Sequence, residues 1–407
     1  MITGLPGNAM LAAMSSRRVP NAAAPNAWSR LLEERRAVGG ALVDLTEQNP
    51  TRAGLIAAGE AELASLGDSR GSVYVPDPRG DPAAREAIAG YYAGRGLAVS
   101  PEDLVLTAST SEAYAHLFRL LCDPGDEVLV PAPSYPLLEP LAALEAVTLH
   151  RYRLGWDGAW RLDRDSLRRA AGARTRAVVV VQPNHPTGSC LDAADLAAVE
   201  QLCRERGLGL VSDEVFGDFL WDQAEGAPHA WPSILTGRTV PAFALQGLSK
   251  LCGMPQMKLG WIALAGPVAA RREALAGLEW IADTFLTVGT PVQLALPRLL
   301  AARAPFRARL LERVASNRAL LDRAAARCPE LATLPAAGGW VAVLSVPGTR
   351  DDEAWALELL RRDVVVHPGH FYDFEDDGHL VVSLIVRPET FEVGMERLVD
   401  LVATGAA

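Results

Sequence analysis

The chain has no surplus of positive charge: its 407 residues carry 39 Lys and Arg against 49 Asp and Glu, a formal charge of -10. Without a basic stripe nothing displaces counterions from a phosphate backbone, so a nucleic-acid partner is not expected. No apolar run approaches the roughly 20 residues that cross a bilayer, so no membrane partner is expected either. The amino-terminal stretch MITGLPGNAMLAAMSSRRVP lacks basic residues ahead of an apolar core, and reads as a flexible leader rather than a secretion signal. The five cysteines (Cys122, Cys190, Cys203, Cys252 and Cys328) are odd in number and contain no C-x-x-C pair. Zinc and dithiol chemistry therefore have no framework, and a reducing cytoplasm fits best. No internal repeat is present.

What is present is enough apolar material, 49% of residues, for one large α/β unit and a smaller second domain. Residues 1 to 45 read as an arm with a short helix. From 46 to 293, short β-branched runs alternate with longer helical periods, the pattern of a mostly parallel sheet flanked by helices. From 294 to 407, helices such as Arg307–Cys328 precede short strands, Gly339–Ser345 and Leu380–Ile385, which predicts a smaller α+β domain.

One unit carries the argument about the site. Ala177–Val181 predicts a buried strand and Gln182–Gly188 a turn; Asp192 caps a helix with an apolar face of Leu196, Val199, Leu202 and Cys203, and a second strand follows at Leu208–Ser212. A strand–helix–strand crossover makes the strands parallel, so the turn and the two acids Asp213 and Glu214 lie beyond carboxyl ends. That edge is where open α/β sheets bind ligands. A strand ending on acids is otherwise an ordinary strand reaching water.

Three motifs occur in order: QPNHPTG at 182–188, SDEVF at 212–216 and LSKLCGMPQMKLGW at 248–261. Together with YVPDPRGDPAAREAIAGYY, TASTSEAY, DPGDEVLVPAPSYP and PAAGGW, they make the chain resemble the pyridoxal-phosphate aminotransferases of fold type I, classes I and II, over nearly its whole length beyond the leader. The resemblance implies pyridoxal 5'-phosphate as cofactor, an amine or amino acid and a keto acid as substrates, and a homodimer. It assigns Lys250 to the covalent bond with the cofactor and to proton transfer, and Asp213 to the pyridine nitrogen. A lysine with that task needs a pocket that lowers its pKa. Thr110 and Ser111, opening a helix, match phosphate ligands. Lys258 falls where the family usually has a phosphate-binding arginine. Tyr135 matches a ring-stacking aromatic, Tyr74 a phosphate contact from the partner subunit, and Glu214 a structural residue.

Four positions depart from that pattern. His185 replaces the asparagine that donates to the ring hydroxyl, and Phe216 replaces the tyrosine that shares it. The altered ring contacts leave a lyase, decarboxylase or oxidase as the alternative reaction. Gly247 replaces a phosphate-contacting serine, a loss Ser109 or Ser111 could compensate. Val381 stands where the family has the arginine that clamps a substrate carboxylate, a bidentate pair no valine can make. Arg387, six residues on at about 3.3 Å each, is some 20 Å along the strand and is not expected to substitute. The substrate is therefore expected either to lack a free α-carboxylate or to find a cation elsewhere.

Overall fold

The computed structural model describes residues 16–19, 25–221 and 233–405, so most of the expected leader lies outside the described residues. The strands are β1 (Val43–Asp44), β2 (Leu104–Thr107), β3 (Glu127–Ala132), β4 (Thr148–Trp156), β5 (Trp160–Leu162), β6 (Thr175–Val181), β7 (Gly209–Asp213), β8 (Ala242–Gly247), β9 (Gly260–Ala265), β10 (Ala332–Thr333), β11 (Val341–Ser345), β12 (Val364–Val365), β13 (His367–Pro368) and β14 (His379–Ser383). The longer helices are α1 (Ala27–Ala37), α2 (Pro82–Ala93), α3 (Thr110–Leu121), α4 (Ala193–Arg206), α5 (Val268–Phe285), α6 (Thr290–Ala301), α7 (Arg303–Arg327), α8 (Asp352–Arg361) and α9 (Pro388–Gly405).

The large sheet has the order β2-β9-β8-β7-β6-β3-β4-β5. Strands β4, β3, β6, β7 and β8 run parallel, while β9 is antiparallel to both neighbours and β5 to β4. The sheet is mostly parallel, as expected, with β9 and β5 the antiparallel members: β9 follows β8 through a connection too short for a crossover, which returns the chain antiparallel rather than across the sheet. Period-two alternation splits the strand residues between two cores. Leu106, Leu129, Val178, Val180, Leu210 and Trp261 face Ile88, Leu196, Val199 and Leu296 on one side. Val105, Val128, Val179, Val211 and Ile262 face Leu117, Phe118 and Leu278 on the other. Burying both faces explains why these strands read as continuous apolar runs.

Helix α4 begins as its sequence demands, with the Asp192 carboxylate accepting from Asp195 N and Gly207 ending it at φ 67°. Helix α6 crosses the expected boundary at 293/294 and places Ala295, Leu296 and Leu299 in the large core. A second, four-stranded sheet, β10-β11-β14-β13, is covered by α7, α8 and α9. Residues 27–45 are stitched to this sheet's side of the molecule: β1 pairs in parallel with β12, and Trp28 Nε1 donates to Val366 O at 3.1 Å. Among the described residues no helix is long and apolar enough to cross a membrane.

Candidate active site

Register builds the site. Asp213, last in β7, lies opposite Val181 of β6 and Leu245 of β8. His185 is four residues past Val181 and Lys250 five past Leu245, so all three leave the sheet at one carboxyl edge. The turn holding His185 is braced from within: Thr187 Oγ1 donates to Asn184 Oδ1 at 2.9 Å, and Asn184 Nδ2 donates to Pro133 O at 3.3 Å. Lys250 sits on the one-turn helix Leu248–Leu251, and Leu248 N donates to Leu259 O at 2.9 Å, which draws the loop carrying Lys258 alongside. The chain has only two lysines, 250 and 258, and both are in this one loop. That scarcity was a signal in the sequence that motif reading did not use.

The Lys250 amine lies 5.5 Å from the Trp340 ring centroid and 5.9 Å from that of Phe216. Burial lowers its pKa, against the opposing attraction of Asp213. Asp213 is pushed up to about 6 by burial, although Val215 N–H and the Tyr114 hydroxyl both donate to it at 3.1 Å. Tyr114 escaped sequence reasoning, yet it stands one helical turn after Thr110 and so shares its face of α3.

His185 is 4% exposed and its Nε2 has no hydrogen-bond partner among the described residues. Three rings enclose it. Phe216 stacks on it at 5.5 Å and 17°, while Tyr135 and Tyr372 meet it edge-on, each at 5.5 Å. Burial, reinforced by Lys250 and His367, pushes the imidazole down to about 3, so it is neutral near pH 7. Glu214 points into the core instead: it is 2% exposed, accepts from Ser212 Oγ at 3.3 Å, and is raised to about 7 by burial.

The start of α3 is pressed against the sheet. A Cβ on Gly260 would lie 3.1 Å from Ser109 C and 3.2 Å from Thr110 N, so only glycine lets this helix end approach so closely. The amides of Thr110 and Ser111 lie in the first turn, where a helix offers no carbonyl to bond. The Ser109 hydroxyl caps the helix, accepting from Glu112 N at 3.1 Å, which leaves its own O–H free to donate. Gly247 has its own cause: it faces Gly260 across β8 and β9, and a Cβ there would meet Gly260 Cα at 3.0 Å.

Two residues named from the sequence lie apart from this group. Tyr74 is 75% exposed and lines a separate cavity of about 370 Å³ with Val73, Val75, Leu106, Ala282 and Leu286. Arg387 lies beyond the end of β14, exposed, with its guanidinium beside Gly54. Val381 is buried among Leu334, Val341, Val343 and Tyr372.

Known proteins resemble this chain both in sequence and in fold. The chain is 31% identical over 275 residues to the glutamate-pyruvate aminotransferase AlaA of Escherichia coli K12, a match covering 67% of this chain and 65% of that relative's length. Its fold is that of an alanine aminotransferase from Pyrococcus furiosus (TM-score 0.85, 23% identity, 96% and 100% of the two chains). An aspartate aminotransferase mutant from Thermus thermophilus superposes with a TM-score of 0.82 at 26% identity, covering 95% and 99% of the two chains. The model of the family described as aminotransferase class I and II matches residues 41–398. The chain therefore belongs to the class I and II aminotransferases, a family dependent on pyridoxal phosphate.

Proposed function

We propose that the protein transfers an amino group between an amine or amino acid and a keto acid, using pyridoxal 5'-phosphate held at Lys250. The observation that carries this reading is a buried amine of lowered pKa sharing one sheet edge with a buried carboxylate, Asp213, and with the free amides of a helix start. The residues fit that cofactor group by group. Lys250 is the nucleophile for its aldehyde, and Asp213 the anion for its pyridinium nitrogen. The first turn of α3, with Thr110, Ser111 and Lys258, suits its phosphate, and Tyr135 its ring face. The unpartnered His185 Nε2 is a buried polar atom that still needs a partner, which a ring oxygen would supply.

When bound, the cofactor supplies an electron sink for the substrate carbon. The chain's own residues bind, orient and move protons. Asp213, oriented by Tyr114 and Val215, would hold a proton on the ring nitrogen. The Lys250 amine, with its proton affinity reduced by burial, would take a proton from the substrate carbon and return it. Phe216 and Trp340 would keep water from that amine.

We read the protein as a cytoplasmic homodimer. Support for the dimer is the exposed apolar run Val73, Tyr74 and Val75, beside the end of α5, where Phe285 is 51% exposed. A partner over that surface would bury it and place Tyr74 for a contact across the interface. The five cysteines are all free thiols, consistent with a reducing compartment.

The deciding experiment is the visible spectrum of the purified protein with pyridoxal phosphate, before and after an amine donor, followed by a keto acid. Wild type should gain a band that a donor bleaches and a keto acid restores; Lys250→Ala should gain none. A band unchanged in Lys250→Ala would refute the assignment of Lys250. Bleaching without recovery by any keto acid would favour lyase, decarboxylase or oxidase chemistry.

A further inference from the structure

Phe216 does two things at the site: it stacks on His185 at 5.5 Å, and its ring centroid lies 5.9 Å from the Lys250 amine. Its own place is set by the turn that follows β7. There Gly217 N donates to Glu214 O and Phe219 N to Phe216 O, both at 2.8 Å. On the sheet side the turn is held by Gln246 Nε2, which donates to Glu214 O at 2.7 Å, and by Trp340, whose ring meets those of Phe216 and Phe219 at 5.4 and 5.1 Å. The far side of the turn ends on a buried acid, Asp218, five residues after Asp213 and 4% exposed.

Asp218 gathers four groups from two helices. At the end of α2, the Tyr91 hydroxyl donates to its carboxylate at 3.0 Å, and the Arg95 guanidinium pairs with the same oxygen at 3.1 Å. From the first turns of α7, Arg303 donates to the other oxygen at 2.5 Å, while Arg307 Nε donates to the Asp218 carbonyl at 2.6 Å. Both Arg95 and Arg303 also lie over the Tyr91 ring, each 5.3 Å from its centroid. Burial works to raise the Asp218 carboxyl, but Arg95 and Arg303 hold it below its usual range, so it is an anion near pH 7. One carboxylate thus faces two guanidiniums, and no neutral side chain of its size could hold both.

We propose that Asp218 is a positioning residue for the reaction: anchored to α2 and α7, it fixes the turn that presses Phe216 onto His185 and over the Lys250 amine. It touches none of the reacting groups itself. Its action runs through the Phe219–Phe216 turn, and what it controls is the exclusion of water from His185 and Lys250. The proposal rests on the reading of Lys250 as the reactive amine, and it adds to that reading a residue on which motif and register are silent.

The test compares wild type with Asp218→Asn and Arg303→Gln. The second variant removes one clamp from a side chain 30% exposed and leaves the acid in place. Arg238→Gln is the control: it breaks another partly buried pair, with Glu200 at 2.8 Å, remote from the turn. In the apoproteins, carbamylation of His185 by diethyl pyrocarbonate at pH 7, followed peptide by peptide by mass spectrometry, reads access to the ring. Its rate should rise about tenfold or more in Asp218→Asn and Arg303→Gln and stay within about twofold in Arg238→Gln. In the cofactor-loaded proteins the pH midpoint of the visible band should rise by about half a unit or more in the same two variants, because water passing Phe216 solvates the protonated form. A His185 rate unmoved in both variants, a rise as large in Arg238→Gln, or a band midpoint unmoved in both would overturn the proposal. Failure of the underlying reading looks different: the wild type would gain no band from pyridoxal phosphate, while the His185 rates still separated the variants from the control.

Discussion

A neutral imidazole sealed at 4% exposure makes His185 a source of acid sensitivity whose size follows from its surroundings. Its folded-state pKa of about 3 lies below the 6.5 of the free side chain, so on acidification the unfolded chain takes up the proton first. The stability that His185 leaves intact above pH 6.5 is lost as pH falls toward 3. Linkage at about 1.4 kcal/mol per unit gives a loss of about 2 kcal/mol by pH 5 and about 3 kcal/mol by pH 4. Wild-type stability alone would conceal this. Asp213, raised from 3.8 to about 6, and Glu214, raised from 4.5 to about 7, act in the opposite sense. Their carboxyls favour the folded state at low pH and lose that contribution as pH rises through their folded pKa values. The informative quantity is therefore the difference between wild type and His185→Asn, whose side chain does not titrate. Urea unfolding of the two apoproteins at pH 7, 6 and 5 should show the wild type losing about 2 kcal/mol relative to the variant. Parallel pH profiles, or a His185 NMR titration centred near 6.5, would refute the reasoning. Either would mean that water reaches the ring and that the Phe216 stack does not seal it.

Two other substitutions probe the frame around the cofactor. Gly260→Ala would put a methyl 3.1 Å from Gln246 O and Ser109 C, both backbone, so the start of α3 must move; equilibrium dialysis should show pyridoxal phosphate affinity lowered about tenfold or more. Val75→Asp places a charge in an exposed apolar run, at a residue 76% exposed in the single chain; sedimentation should show a wild-type dimer and a variant shifted toward monomer.

What could be read from the sequence was local. Lys250, Asp213 and the turn at His185 each lie within a few residues of a strand end, and the strand–helix–strand logic already sends them to one edge. The residues that complete the site arrive from elsewhere in the chain: Tyr114 meets Asp213 from 99 positions away, and Tyr372 of the second domain meets the His185 ring edge-on. No periodicity encodes such meetings. Strand ends went astray for the same reason. The sequence runs apolar through Ile385, but β14 stops at Ser383, because Ser383 N donates to Leu45 O and Leu384 N to Trp340 O. The arm thereby closes the second sheet on the side that faces the site.

Gly247 and Val381, both departures from the family's pattern, have different physical standing. Gly247 is a requirement of packing, since any side chain there meets the backbone of Gly260, and the serine it replaces could be accommodated only if β9 gave way. Val381 is under no such constraint from the backbone: it is one of several apolar side chains lining a patch, and its neighbour across the strand pair is a histidine bonded to Tyr372. A cation introduced there would need a partner, and the uncharged pair of Tyr372 and His367 supplies none. On the proposed reading, phosphate would be held largely by backbone, which tolerates a glycine, whereas substrate would be held by side chains, where the departures at His185, Phe216 and Val381 from the family's pattern fall.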